Sequence, residues 1–169
     1  MASAGSLGTD GNAPRFEVSS FVKAPPALVW ARVSTMAGLN DELWPLLRMT
    51  HPPGQDRLDG ADVPIGRRAF RSWLLLFGAI PFDYDDLTFA RIEPGHGFLE
   101  TSTMLSQRRW IHERRLEPMP GGCRVVDRVR FEPRLRAAGP LLVRLFRAVF
   151  RYRHWRLRRA FADGVGVKP

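Results

Sequence analysis

The stretch WIHERRLEPMPGGCRVVDRVRF, Trp110 to Phe131, decides the fold. Two runs with alternating side-chain character flank Pro118-Met119-Pro120-Gly121, and proline and glycine together reverse a chain, so the stretch reads as an antiparallel hairpin. In the first run Trp110, His112, Arg114 and Leu116 share one face. In the second Val125, Asp127, Val129 and Phe131 share one face, while Arg124, Val126, Arg128 and Arg130 take the other. The large apolar members mark the Trp110 and Val125 faces as inward. A four-residue loop over Pro118–Gly121 pairs Glu117 with Gly122, which sets His112 opposite Asp127 and Trp110 opposite Val129. Residues so opposed stand about 4.5–5.5 Å apart at Cβ, within reach of an imidazole–carboxylate hydrogen bond. In the hairpin before it, a turn near Ser106–Arg108 sets Glu100 beside Arg114 and Ser102 beside His112.

Working outward, turn signals recur at Gly78–Pro81, Glu93–Gly97, Ser106–Arg108 and Pro118–Gly122, and the segments between them are of strand length. They form an antiparallel meander. Upstream, Phe16, Val18, Ser20 and Val22 share one face of a first strand that Ala24-Pro25-Pro26 stops. A short amphipathic helix with Leu28, Val29, Ala31 and Val33 ends before Gly38, and a second is expected over Leu39–Leu47, with a break at Pro45. Residues 51–66 read as a loop that could hide a short strand. Downstream, Leu141–Phe161 holds no glycine or proline and reads as one long helix. The expected class is α+β, with about six to seven antiparallel strands and the helices on one side. Residues 1–14 read as a disordered leader, 15–163 as one domain and 164–169 as a tail.

The chain has 169 residues, and 44% hydrophobic with 25% charged residues suits a globular domain rather than a disordered one. Its net charge is +9, and all but Lys23 and Lys168 of the 26 basic residues are arginines. Such charge raises nucleic acid or anionic membrane as partners. No zinc-finger, helix-turn-helix or aromatic RNA-binding motif accompanies it, so nucleic acid is not expected. The N-terminus lacks the basic and apolar regions of a signal peptide, and Trp73–Phe82, the longest apolar run, falls short of the roughly 20 residues a spanning helix needs. A cytoplasmic location is expected. Cys123 is alone, so no internal disulfide is expected. His51, His96, His112 and His154 lie on separate elements, and Cys123 has no partner motif, so no metal is expected. No phosphate loop or nucleophile elbow is present, and no cofactor is expected.

Several residues together resemble a known family. Phe21-Val-Lys-Ala-Pro25 followed by Val29-Trp30 is similar to the opening of SRPBCC/START-like domains. Gly97-Phe98, Glu100, Trp110, His112, Asp127, Val129, Phe146, Phe150 and Tyr152-Arg153 resemble the bacterial polyketide cyclase/dehydrase-like ligand-binding branch of that superfamily. Ser102 stands where that branch tends to carry glutamine, and Arg114 where it tends to carry a second histidine. The resemblance spans residues 16–160. It implies the helix-grip fold, a curved antiparallel sheet around a long C-terminal helix with two short helices after the first strand. It also implies a hydrophobic small-molecule ligand, lipid-, polyketide- or aromatic-like, in an internal cavity.

The expected ligand-binding residues are Trp73, Leu75, Phe98, Glu100, Ser102, Met104, Trp110, Arg114, Val129, Phe146 and Phe150. The polar row Glu100, Ser102, His112, Arg114 and Asp127 is either a satisfied network that fixes strand register or the polar end of the pocket. If a reaction occurs, His112 held by Asp127 is the candidate acid/base of a cyclase or dehydratase. Asp83, Asp85 and Asp86 read as a solvated strand edge rather than a cation site. On the last helix Arg144, Arg147, Arg151, His154 and Arg158 form a basic stripe, a solvated face or, alternatively, a peripheral contact with anionic membrane. The oligomeric state is not legible.

Overall fold

The computed structural model describes residues 13–162. Most of the expected leader, and the whole expected tail, lie outside the described residues. Pro14, placed in that leader, already belongs to the fold, since its carbonyl accepts from the Phe131 N–H at 3.1 Å.

Seven strands form one sheet: β1 (Arg15–Val22), β2 (Leu47–Met49), β3 (Arg68–Leu76), β4 (Ile80–Glu93), β5 (Gly97–Met104), β6 (Gln107–Met119) and β7 (Gly122–Pro133). Their order is β1-β7-β6-β5-β4-β3-β2, and every neighbouring pair is antiparallel. Two short helices, α1 (Pro26–Val33) and α2 (Met36–Leu43), follow β1, and α3 (Gly139–Ala162) closes the fold. This is the helix-grip arrangement.

Local chemistry explains the joints. Proline at the first turn of α1 costs nothing because its N–H would be unpaired there. The second helix starts earlier than expected, at Met36, because the Thr35 side chain accepts from the Gly38 N–H at 3.0 Å and caps it. It also ends earlier, before Pro45. Residues 51–66 add no strand to the sheet; an isolated bridge pairs Arg57 with Thr35 and another pairs Ile65 with Phe89.

The β6–β7 hairpin is tighter than expected. Pro120-Gly121 suffices for the reversal, with Gly121 at φ 78°, so Pro118 and Met119 continue β6 and Met119 pairs with Gly122. The whole register slides by two residues. Arg114, not His112, faces Asp127, and His112 faces Val129. The β5–β6 register slides likewise, pairing Glu100 with His112 and Ser102 with Trp110. An even slide preserves side-chain parity, so each residue keeps its predicted face.

Parity on β3 differs from expectation. Phe70 and Ser72 are buried, whereas Trp73 is 45% exposed and packs edge-on against Tyr84 on the outer surface, 5.6 Å between centroids. Trp73 is therefore not a pocket wall, and neither is Leu75, which follows a register shift after Leu74. The run Trp73-Leu-Leu-Leu-Phe77 has no alternation from which its inner face could be read. The aspartates of β4 also depart from a solvated edge. This strand lies between β3 and β5, so Asp83 and Asp85 point inward at 4% exposure, while Asp86 faces outward to Arg68 and Arg71.

The core divides in three. One cluster, around Val22, Val29, Trp30, Val125 and Leu157, seals the end beneath the C-terminal half of α3. A second gathers Met36, Leu43, Met49, Leu87 and Phe89. A third joins Phe16, Trp110, Phe131 and Phe150. Each such side chain contributes about 1.5–3 kcal/mol by leaving water.

Candidate ligand-binding site

Between the second and third clusters lies a cavity of about 380 Å³, roofed by α3 and floored by the concave sheet. Its walls are mostly aliphatic and aromatic, with Leu43, Leu74, Leu87, Phe98, Met104, Trp110, Phe146 and Phe150 among them. At one side Leu76, Phe77, Phe82 and Leu145 both line it and reach solvent, Phe77 with 62% of its surface exposed. That rim is the mouth.

The polar wall is built from neighbouring strands and two helices. Gly97 begins β5 at φ 146° with its Cα pressed on the Arg114 carbonyl, where any Cβ would collide. This close approach brings Glu100 beside His112. His112 Nε2 lies 2.9 Å from Asp127 Oδ1 and its Nδ1 lies 3.4 Å from Glu100 Oε2, while its ring is edge-on to both Phe98 and Phe150. Ser102 Oγ donates to Glu100 at 2.8 Å and accepts from the Thr88 N–H at 3.1 Å.

Arg114, 1% exposed, makes four charge-assisted bonds. Its Nε and Nη2 reach Asp127 at 2.8 and 2.7 Å, and its Nη1 and Nη2 reach Glu42 at 2.9 and 3.1 Å. Glu42 also accepts from Arg153 Nε at 3.1 Å, whose guanidinium sits over Phe150 at 4.8 Å. Asp127 has a third partner in His154 Nε2 at 2.9 Å, and His154 Nδ1 contacts Ser20 Oγ at 2.7 Å. His154 thus leaves the basic stripe it was expected to join. The helical turn puts it on the face of Phe150 and Leu157, which are buried.

Burial and pairing compete at each charge, and pairing wins at most. Burial works against ionised Asp127, yet Arg114 and His112 hold its carboxyl well below the usual range. Glu42 is lowered by Arg114 and Arg153 against the same burial cost. Burial would depress His112, but Asp127 and Glu100 raise it overall. Arg114 is held far above its ordinary value by Asp127 and Glu42 despite desolvation. Asp85 is the exception. Burial and the adjacent Glu100 charge push its carboxyl well above the carboxylate range, and its buried Oδ1 has no hydrogen-bond partner among the described residues.

The structure therefore brings Phe98, Glu100, Met104, Trp110, His112, Arg114, Phe146 and Phe150 to the cavity. Ser102, Val129 and Asp127 are buried behind its wall rather than on it. Sequence reasoning missed Glu42, Arg153 and Asp85 as site residues. A signal existed for the first two: Glu42 falls on the α2 face of Leu39 and Leu43, and Arg153 continues the Phe146–Phe150 spacing.

Sheet, roofing helix and cavity define the helix-grip fold. The chain belongs to the family described as Domain of unknown function (DUF8410), whose model matches residues 20–161. No curated protein matches it. Among solved structures, protein CV1439 from Chromobacterium violaceum is similar, with a TM-score of 0.67 and 15% identity over 88% of this chain and 97% of that one. A START superfamily protein from Mycobacterium smegmatis gives 0.62 at 10% identity over 88% and 97%. The di-domain ARO/CYC StfQ from the steffimycin biosynthetic pathway gives 0.64 at 12% identity over 92% of this chain and 52% of that one. At these identities the likeness is one of fold.

Proposed function

We propose that this protein binds a hydrophobic small molecule in the cavity between α3 and the sheet. The observation that carries the reading is the cavity itself: about 380 Å³, apolar over most of its wall and open at one rim. Protein interiors are otherwise packed without voids of this size, and small-molecule sites have this form, an apolar cleft with a few convergent polar groups. Phe98, Met104, Trp110, Phe146 and Phe150 form the apolar contact, and Glu100, His112 and Arg114 belong to the polar end.

A cyclase or dehydratase would use His112 as acid/base, oriented by Asp127. Both His112 ring nitrogens face carboxylates, which favours a locked polar floor over a proton shuttle. A membrane has a more specific observation behind it. The apolar rim Leu76, Phe77, Ile80 and Phe82 is exposed, and α3 turns Arg144, Arg147 and Arg151 to solvent. Transient contact of this rim with an anionic bilayer would give an apolar ligand a dry route into the mouth.

The test is native mass spectrometry of protein gently purified from its own host, beside Val149→Trp, which fills the cavity from α3. The expected result is a stoichiometric apolar adduct on the wild type that the variant lacks. A wild type that is empty, and stays empty when challenged with lipid and polyketide libraries, would overturn the proposal.

A further inference from the structure

We infer that the ligand carries a protonated amine at its polar end, seated against the Asp85 and Glu100 carboxyls; this rests on the cavity being a binding site. The argument is one of unspent hydrogen-bonding capacity. Among the described residues six ionisable side chains line the cavity: Asp83, Asp85, Glu100, His112, Arg114 and Arg153. The cations among them are engaged. Arg114 is shared between Glu42 and Asp127, Arg153 is held by Glu42 over Phe150, and His112 lies between Asp127 and Glu100. An anionic head group would find each of these already paired and would face three carboxyls.

The acids are different. Asp83 is held by the Ser106 hydroxyl and N–H. Asp85, 4% exposed, contacts Ser102 and Glu100 but leaves Oδ1 with no partner. The other neighbours of Asp85 do not supply one. Ser72, its pair on β3, donates to the Thr50 carbonyl at 2.7 Å, and Met104, its pair on β5, has no polar hydrogen. A buried acceptor without a donor is costly, so a ligand that supplies one is selected. A neutral hydroxyl supplies a single hydrogen; an ammonium supplies three, and its positive charge favours the ionised form of Asp85 that burial and the Glu100 charge otherwise disfavour.

The whole-molecule charge makes the inference easy to separate from surface adsorption. At net +9 the protein repels free amines and attracts carboxylates, the reverse of the preference assigned to the cavity.

Decylamine, decanol and decanoate, each kept below its aggregation threshold at neutral pH, would be titrated by calorimetry, with tryptophan emission followed in parallel because Trp110 lines the cavity. Decylamine should bind at least about 10-fold more tightly than the other two, since an opposed buried charge pair is worth more than that ratio. Asp85→Asn, which keeps the side-chain shape, should lose that advantage, the affinities of decylamine and decanol converging to within about 3-fold of each other. Equal affinity for all three, or tighter decanoate, would overturn the amine and leave the apolar cavity standing. Failure of all three to bind would overturn both. The wild-type ranking alone decides the matter if the variant does not fold.

Discussion

Replacing Glu42 with glutamine preserves shape and removes one charge, and the structure indicates what that charge holds. Glu42 is 1% exposed and is the shared partner of Arg114 and Arg153. After the change Arg114 keeps both bonds to Asp127, but Arg153 loses the one carboxylate it is bonded to, and the amide turns a donor toward at least one guanidinium. Breaking a buried pair from one side costs about 3–5 kcal/mol, because the remaining cation stays desolvated. Against a typical stability of about 5–15 kcal/mol this is severe. For a domain of this size each kcal/mol moves Tm by roughly 2–4 °C, so a fall of about 6–20 °C is expected. Urea denaturation gives the free energy directly. The control is Glu117→Gln, which breaks the exposed 2.8 Å pair with Arg124 across the hairpin and should cost only about 0.2–1 kcal/mol. A Glu42→Gln cost no larger than the control's would refute the view that this network is sealed from water.

The pH profile of stability should bend at both ends. Asp127 and Glu42 have lowered folded pKa values, so their contribution is present above about pH 4 and lost as pH falls below it. His112 is raised, so its contribution is present below about pH 6.5 and lost as pH climbs through its folded value; Asp85 is also raised, so its contribution is present below about pH 4 and lost as pH rises from there through its folded value. Asp85→Asn, by removing that proton demand, should gain Tm on wild type more at pH 8 than at pH 4.5; a constant offset across the range would show that Asp85 ionises normally. For the mouth, Phe77→Asp should abolish co-sedimentation with anionic vesicles at low salt while leaving Tm within about 2 °C, as expected of an exposed position; unchanged sedimentation would place membrane contact elsewhere.

Side-chain faces were more legible than side-chain partners, and the reason is geometric. Parity along β6 and β7 depends only on alternation, so Trp110, His112, Arg114, Val125, Asp127 and Val129 were read on the correct side. Register depends on where the turn closes, and a two-residue turn at Pro120-Gly121 exchanged His112 for Arg114 opposite Asp127 without moving either off its face. On β3 even parity failed, because an unbroken apolar run presents the same chemistry to both sides. The long helix was legible as an element, but Arg153 and His154 look like their solvated neighbours in a chain so rich in arginine. Only the spacing from Phe150 and Leu157 separates them. Glu42 lay beyond a pairwise reading, since its partners come from β6 and α3, more than seventy residues away in sequence.

The network also explains how a polar wall can border an apolar cavity without losing the fold. Two guanidiniums, Arg114 and Arg153, are matched by two carboxylates, Glu42 and Asp127, and the raised His112 answers Glu100. The signs cancel locally, so the surplus positive charge of the chain belongs to its surface and not to this wall. Pairing that closes on itself can set strand register and rigidify the floor, but it offers little to a ligand. Recognition then falls to the group left outside the pairing. Among the cavity-lining acids and bases of the described residues that group is Asp85, whose buried Oδ1 is left without a hydrogen-bond partner. The residues that fix the shape of the pocket and the residue that discriminates among its ligands are therefore separable. Substitutions in the first set should lower stability, whereas substitution of Asp85 should change ligand preference and, if anything, raise stability.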